Sequence, residues 1–258
     1  MKLGIVIPLK AKSISRNWQI TCQALHRTIQ SIIQQSVDNY DVVIVGHDCP
    51  DFLKDHTIPR IKFISVSTPV PDRSAPGFTH QDLILDKNIK IVTGIAALKS
   101  GNIDFWYQLD SDDLLHRDFV KTIGTLDGYA GAIIDGGYIV YDSCNRAIET
   151  KSMSQYCGST SILADRYLTV PINITKETIG QIPWARYPHM AMQRFFKEEI
   201  KEPYLQVNDN MISYMLASGD NISDRWRDSP IKALKAYLKP YIKGRRLNNS
   251  LREQFGMV

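Results

Sequence analysis

Three carboxylates within four positions, Asp110, Asp112 and Asp113, are the residues of this chain best placed to do chemistry. Acids this close repel one another, and each raises the pKa of the next. A divalent cation relieves that repulsion. Oxygen donors with no His or Cys beside them suit Mg²⁺ or Mn²⁺, and Mg²⁺ is commonly held by one or two carboxylates plus substrate phosphates. The residues in front, Phe105, Trp106, Tyr107 and Leu109, are aromatic or apolar. They read as a buried strand whose end delivers the acids to one point. The same acids would also serve as a plain helix start, through capping and the helix dipole. The aromatic strand before them favours a metal-diphosphate site.

Such a strand needs neighbours, and the first half of the chain supplies them. A continuous apolar run at 3–9, with the segments "DVVIVG" at 41–46 and "IKFISV" at 61–66, reads as further buried strands. Between them, Leu25, Ile29, Ile32 and Ile33, and later Ile84, Ile91, Ile95 and Leu98, recur at helical spacing. Apolar strands alternating with helices predict an α/β fold, a mostly parallel sheet covered on both faces. Ligands on open sheets bind beyond the carboxyl ends of the strands. Residues 8–12, 47–51 and 110–113 all fall at such ends, which marks Pro8, Lys10 and Asp48 as candidate ligand contacts. No glycine-rich phosphate loop occurs, so a diphosphate here would need a metal and basic side chains. The second half is less regular. It predicts a strand at 131–142, a small-residue loop running into a helix at 156–168, and helices at 189–200 and 210–217.

The residues "LGIVIPL", "DVVIVGHDCPD" and "FWYQLDSDD", with a helix between each, resemble the nucleotide-binding half of the family-2 glycosyltransferases, which have the GT-A fold. The likeness covers roughly residues 3–120. It implies a single Rossmann-like, mostly parallel sheet flanked by helices, with a less regular acceptor-side half. It further implies a metal-dependent, inverting transfer of a sugar, a hexosyl group, from a nucleoside-diphosphate sugar to a glycan or lipid-linked acceptor. Asp110, Asp112 and Asp113 match the family's DxD motif and would contact the ribose and the divalent metal. Pro8 matches the proline ending the first strand. The family's paired acids after the second strand are reduced to Asp48, which follows His47, and its Ala-Arg-Asn signature is met by Asp86, Lys87 and Asn88. The implied domain spans 1–228, with a nucleotide-binding half at 1–120 and an acceptor half at 121–228, followed by a basic tail at 229–258.

The family's general base is an acid in the second half, and no clean Glu-Asp pair stands there. Glu198 and Glu199 sit in an amphipathic run with Phe195, Phe196 and Ile200 and read as a solvated face. His189, opening that run, is a candidate base or further metal ligand, and equally reads as a structural histidine at a helix start. Asp165 is a second candidate base, and equally reads as an acid at a helix start. Arg225 and Arg227, flanking Trp226, either grip donor phosphates from a late polar loop or belong to a linker leading into the tail. A binding protein that has lost its base is the alternative, and a haloacid-dehalogenase-like phosphatase a more distant one. In the latter, Leu114 stands where Thr or Val belongs.

With 258 residues the chain can bury about 70–75% of its unfolded surface without staples. Cys22, Cys49, Cys144 and Cys157 show no paired spacing, so neither zinc nor a disulfide framework is expected, and a reducing cytosol is. The start reads as too short for a secretory leader, and no apolar run nears 18 residues. From Arg225 onward nine Lys or Arg face two acids, a local +7; the net charge is +4, so the preceding 224 residues sum to −3. Nucleic acid is not an expected partner. In the tail Ile231, Leu234, Leu238 and Ile242 form a stripe opposite Lys232, Lys235, Lys239 and Lys243. That pattern predicts either peripheral contact with the inner face of a membrane, or docking on the chain's own domain or a neighbouring subunit in a homo-oligomer.

Overall fold

The computed structural model describes residues 1–54, 58–216 and 230–257, without the side chains of Gln181 and residues 230–236. The four expected strands of the first half are present: β1 (Leu3–Pro8), β2 (Tyr40–Gly46), β3 (Ile61–Ser65) and β4 (Phe105–Gln108). The remaining strands are β5 (Leu114–Leu115), β6 (Gly131–Ile134), β7 (Gly137–Tyr141), β8 (Arg146–Thr150), β9 (Ser161–Ala164), β10 (Leu205–Val207), β11 (Ile212–Leu216) and β12 (Arg245–Arg246). A seven-stranded sheet runs β10-β6-β9-β4-β1-β2-β3, parallel except for β9. This is the mixed α/β architecture that the hydrophobic pattern predicts. A second sheet, β12-β8-β7-β11-β5, is built largely from the second half.

Two helices cover opposite faces of the larger sheet. Helix α1 (Trp18–Ile33) starts where the Asn17 side chain accepts the Ile20 N–H, and buries Leu25, Ile29 and Ile32 against Leu3, Ile5, Ile7 and Leu9. Helix α2 (His80–Leu98) opens with a Thr79–Asp82 capping box and buries Ile91, Val92 and Ile95 against Val6, Val43 and Val45. Gly94 permits this close approach: a Cβ there would lie 2.4 Å from Val6 Cγ1. Its closeness fixes where the polar start of α2 meets the strand ends.

Four segments differ from expectation. The 131–142 run is two strands in different sheets, parted at Asp135 and Gly136, where a Cβ would lie 2.2 Å from the Asn208 carbonyl. Residues 161–164 and 212–216 are strands rather than helix, each too short for its apolar run to declare a period. The 189–200 stretch is helical but broken into 3₁₀, α and π turns. The tail is stitched into the body. Helix α3 (Pro230–Lys243) is followed by β12, and then α4 (Asn249–Gln254) packs Leu251 with Phe255 against Tyr138 and Val140.

Candidate functional site

From β1 the chain proceeds outward through β2 and β3, then returns to place β4 on the other side of β1. The reversal opens a crevice at the carboxyl ends of β1 and β4, where open α/β sheets bind ligands. A cavity of about 230 Å³ lies there, lined among others by Pro8, Lys10, Arg73, Lys87, Asp110 and Asp112. It adjoins a second of about 500 Å³ at the shared wall residue Asp86, bordered by the 68–78 loop and residues 174–177. Together they fall in the size range of small-molecule sites, roughly 300–1,000 Å³.

The structure divides the three aspartates. Asp110 and Asp112 face the cavity, whereas Asp113 is 1% exposed and turned inward. Its Oδ2 accepts the Ser159 hydroxyl at 2.6 Å and the Cys157 thiol at 3.0 Å, and its Oδ1 is buried with no hydrogen-bond partner. Burial first, then the charges of Asp112 and Asp110, push Asp113 well above the ordinary carboxylate range and favour the neutral acid. Ser159 also accepts the Asp110 N–H at 2.9 Å. Tyr107 donates to the Ser159 carbonyl and Gln108 to that of Gly158, so the 157–159 loop is clamped to the end of β4. Sequence reasoning missed Ser159 and Cys157. They lie in the small-residue stretch before β9, and only the pairing of β9 with β4 brings them to the acids.

Lys87, from the first turns of α2, donates to Asp110 Oδ1 at 2.5 Å. Burial pulls its ammonium down, but the charge and hydrogen bond of Asp110 outweigh that, and the net shift is upward. One turn on, Lys90 is 1% exposed and donates to Asp86 at 2.6 Å; burial lowers its pKa, and Asp86 opposes this. Asp48 accepts the Lys12 N–H at 2.8 Å, closing the loop after β1, and acts on Lys90 only through its charge. His47 takes the place of the expected acid. Its Nε2 is 2.8 Å from the Thr68 carbonyl and 3.9 Å from Asp86. Arg73 on the cavity wall was also missed, since a lone arginine in a proline-rich loop carries no sequence signal.

His189 is brought to the cluster. Burial lowers its pKa, the Asp110 charge raises it, Lys87 lowers it further, and its ring is hydrogen-bonded to the backbone of Gln155. Asp165 requires correction as a candidate base. Antiparallel β9 carries it to the opposite end of the strands, beside the start of β4, where it pairs with Lys99 and accepts the Trp106 indole N–H at 2.6 Å. Glu198 and Glu199 are on the surface with Arg194 and Arg186, as a solvated face requires. Arg225 and Arg227 lie outside the described residues, as do Trp226 and His56.

Among the described residues no three His, Cys, Asp or Glu side chains form a group able to hold a metal ion. The expected set of three aspartates with His189 is therefore not assembled as a cage. Asp110 and Asp112 alone fit the sparser arrangement of Mg²⁺, one or two carboxylates completed by phosphate oxygens and water.

No family model matches the chain, and no curated protein matches it. Among solved structures, S. aureus TarS 1-349 is 16% identical over 83% of this chain and 60% of its own, with a TM-score of 0.47. The same protein in complex with UDP-GlcNAc is 14% identical over 98% of this chain and 71% of its own, with a TM-score of 0.49. Rv0371C of Mycobacterium tuberculosis H37Rv, in complex with manganese, is 9% identical over 88% of this chain and 97% of its own, with a TM-score of 0.43. The chain spans 60% of the length of the first of these. Likeness at this level assigns no activity.

Proposed function

We propose that the chain is a glycosyltransferase taking its sugar from a nucleoside-diphosphate sugar, with inversion, onto a glycan or lipid-linked acceptor. The observation that carries this reading is the convergence of Asp110, Asp112, Lys10, Arg73 and Lys87 on one cavity at the switch point between β1 and β4. A strand-end crevice with both carboxylates and cations matches the needs of a diphosphate leaving group. Transfer requires the acceptor hydroxyl to attack the anomeric carbon while the carbon–oxygen bond to the diphosphate breaks. The leaving group gains negative charge, and Lys87, Lys10 and Arg73 stabilise it more in the transition state than before. His189, kept neutral by its depressed pKa, is the group to take the hydroxyl proton. A bound Mg²⁺ or Mn²⁺ on Asp110 and Asp112 would supply further charge neutralisation at the diphosphate.

Thermal-shift titration with UDP, GDP, CDP, ADP and dTDP, each with and without Mn²⁺, tests the site. One nucleotide should raise Tm, more strongly with the ion, and Asp112→Asn should remove the ion-dependent part. No shift with any nucleotide would overturn the reading. Binding without sugar release or transfer would favour a binding protein instead.

A further inference from the structure

The outward face of α3 carries no covering element among the described residues. Tyr237 is 66% exposed and Ile242 75%, with Leu238 and Tyr241 also open to solvent. These four stand at i, i+1, i+4 and i+5, which is one stripe of a helix. Pro240 faces inward and is buried, and the Arg146 guanidinium donates to the Gly244 carbonyl just past the helix end. The helix is thus held by its polar backbone and proline side, with its apolar side turned out. Leu238 and Ile242 belong to the expected stripe; Ile231 and Leu234 lie outside the described side chains. Tyr156, also exposed, extends the patch across the neighbouring loop, with the Lys239 ammonium 5.7 Å above its ring.

Cations rim this patch. Lys243 and Arg246 are exposed, and Arg146 lies 5.2 Å over the Tyr241 ring. The carboxylates nearby are already engaged: Glu149 with Arg245 and Lys151, and Asp142 with Arg27. Tyrosines with apolar bodies and polar tips, beside aliphatics and a ring of Lys and Arg, match the headgroup zone of an anionic bilayer. The patch is also close to the candidate site. Tyr156 stands between Gln155, whose backbone holds His189, and Cys157, which bonds Asp113.

We propose that the exposed face of α3, with Tyr156, docks the protein on an anionic lipid surface. The charge complementarity of the rim selects that occupant over an uncharged apolar partner. If the transferase reading holds, docking here brings a lipid-carried acceptor within reach of His189; the docking itself does not depend on that reading.

The test is co-sedimentation of the full chain with vesicles of phosphatidylcholine alone and with about one third phosphatidylglycerol. Binding is expected only to the anionic vesicles and should weaken in 0.5 M salt, where charges near the surface are screened. Lys239→Glu/Lys243→Glu/Arg246→Glu should lower affinity by roughly 100-fold or more, from the usual contribution of a cation near an anionic membrane. Tyr237→Ser/Leu238→Ser/Tyr241→Ser/Ile242→Ser should abolish binding while leaving Tm and any nucleotide-induced shift in place. That retained shift separates failure of the surface from failure of the site. Equal binding to both vesicles, no binding, or unchanged binding by either variant overturns the proposal. So does a dimer in light scattering that the serine variant converts to monomer.

Discussion

Ser159 is the hinge of the candidate site, and its removal can be reasoned through from the contacts. The residue is fully buried, and its hydroxyl both accepts the Asp110 N–H at 2.9 Å and donates to Asp113 at 2.6 Å. Ser159→Ala strands the Asp110 N–H and leaves Asp113 Oδ2 only the weaker Cys157 thiol as a donor. An unsatisfied buried group costs about 1–3 kcal/mol. The Asp110 amide is partly reached by water, so a total near 2–4 kcal/mol is expected. Ser161, two residues on and also fully buried, is the matched control: its hydroxyl accepts the Trp184 indole N–H at 2.7 Å, away from the acids. Ser161→Ala strands one partner and should cost about 1–3 kcal/mol. Urea unfolding measures both. Calorimetric titration of the stabilising nucleoside diphosphate then separates them. Ser159→Ala should weaken binding by about 10-fold or more, because a displaced Asp110 no longer meets the ligand in register, while Ser161→Ala should leave it within about 2-fold. A stability loss under about 1 kcal/mol for Ser159→Ala, or equal binding losses in the two variants, would refute the idea that this loop sets Asp110.

A Cβ at Gly158 would lie 2.9 Å from Asp110 Oδ2 and 3.2 Å from Lys87 Nζ. Both are side-chain ends that can move, so Gly158→Ala should leave Tm nearly unchanged and cut nucleotide affinity by roughly 10-fold, as read by calorimetry. The His189 pKa lies below its ordinary value of about 6.5, so the base form survives to lower pH and the acidic limb of kcat/KM should fall at a lower pH than an ordinary histidine would give. Lys87→Met removes a charge that lowers this pKa and unpairs one that raises it, and should move the acidic limb of the pH–rate profile upward. The Lys90–Asp86 pair is buried at 2.6 Å. Lys90→Met alone should cost about 3–5 kcal/mol in chemical denaturation by leaving a buried charge, and adding Asp86→Leu should recover most of it.

The first half of the fold was legible because its apolar, β-branched or aromatic strand segments alternate with helices that repeat Leu and Ile at helical spacing, and each supports the reading of its neighbours. The sheet's second half was not. The four residues at 161–164, three of them apolar, fit a strand or a helix equally, and the choice is made by the slot between β4 and β6 into which they pair. The same slot explains the site. Asp110 and Asp112 were visible because they follow their strand directly, while Ser159 reaches them across 49 positions. Asp165 misled for the complementary reason: nothing in "ADR" tells that β9 runs away from the acids rather than toward them.

Three carboxylates in four positions pose an electrostatic problem whose solution is visible in the packing. Like charges at such range cannot all remain ionised and face one cavity without a large rise in pKa. The chain resolves this by giving each acid a different environment. Asp113 is withdrawn among Tyr107, Cys157 and Ser159, where burial favours its neutral form and it serves as a polar peg for the 157–159 loop. Asp110 is matched by the Lys87 ammonium. Asp112 remains on the cavity wall. The cavity therefore presents fewer negative charges than the sequence lists, with Lys10, Arg73 and Lys87 among its walls, as the proposed diphosphate would require. Converting Asp113 into an exposed ionised group would undo that balance. Hence the burial of one aspartate, rather than the grouping of three, makes this crevice suitable for an anionic ligand.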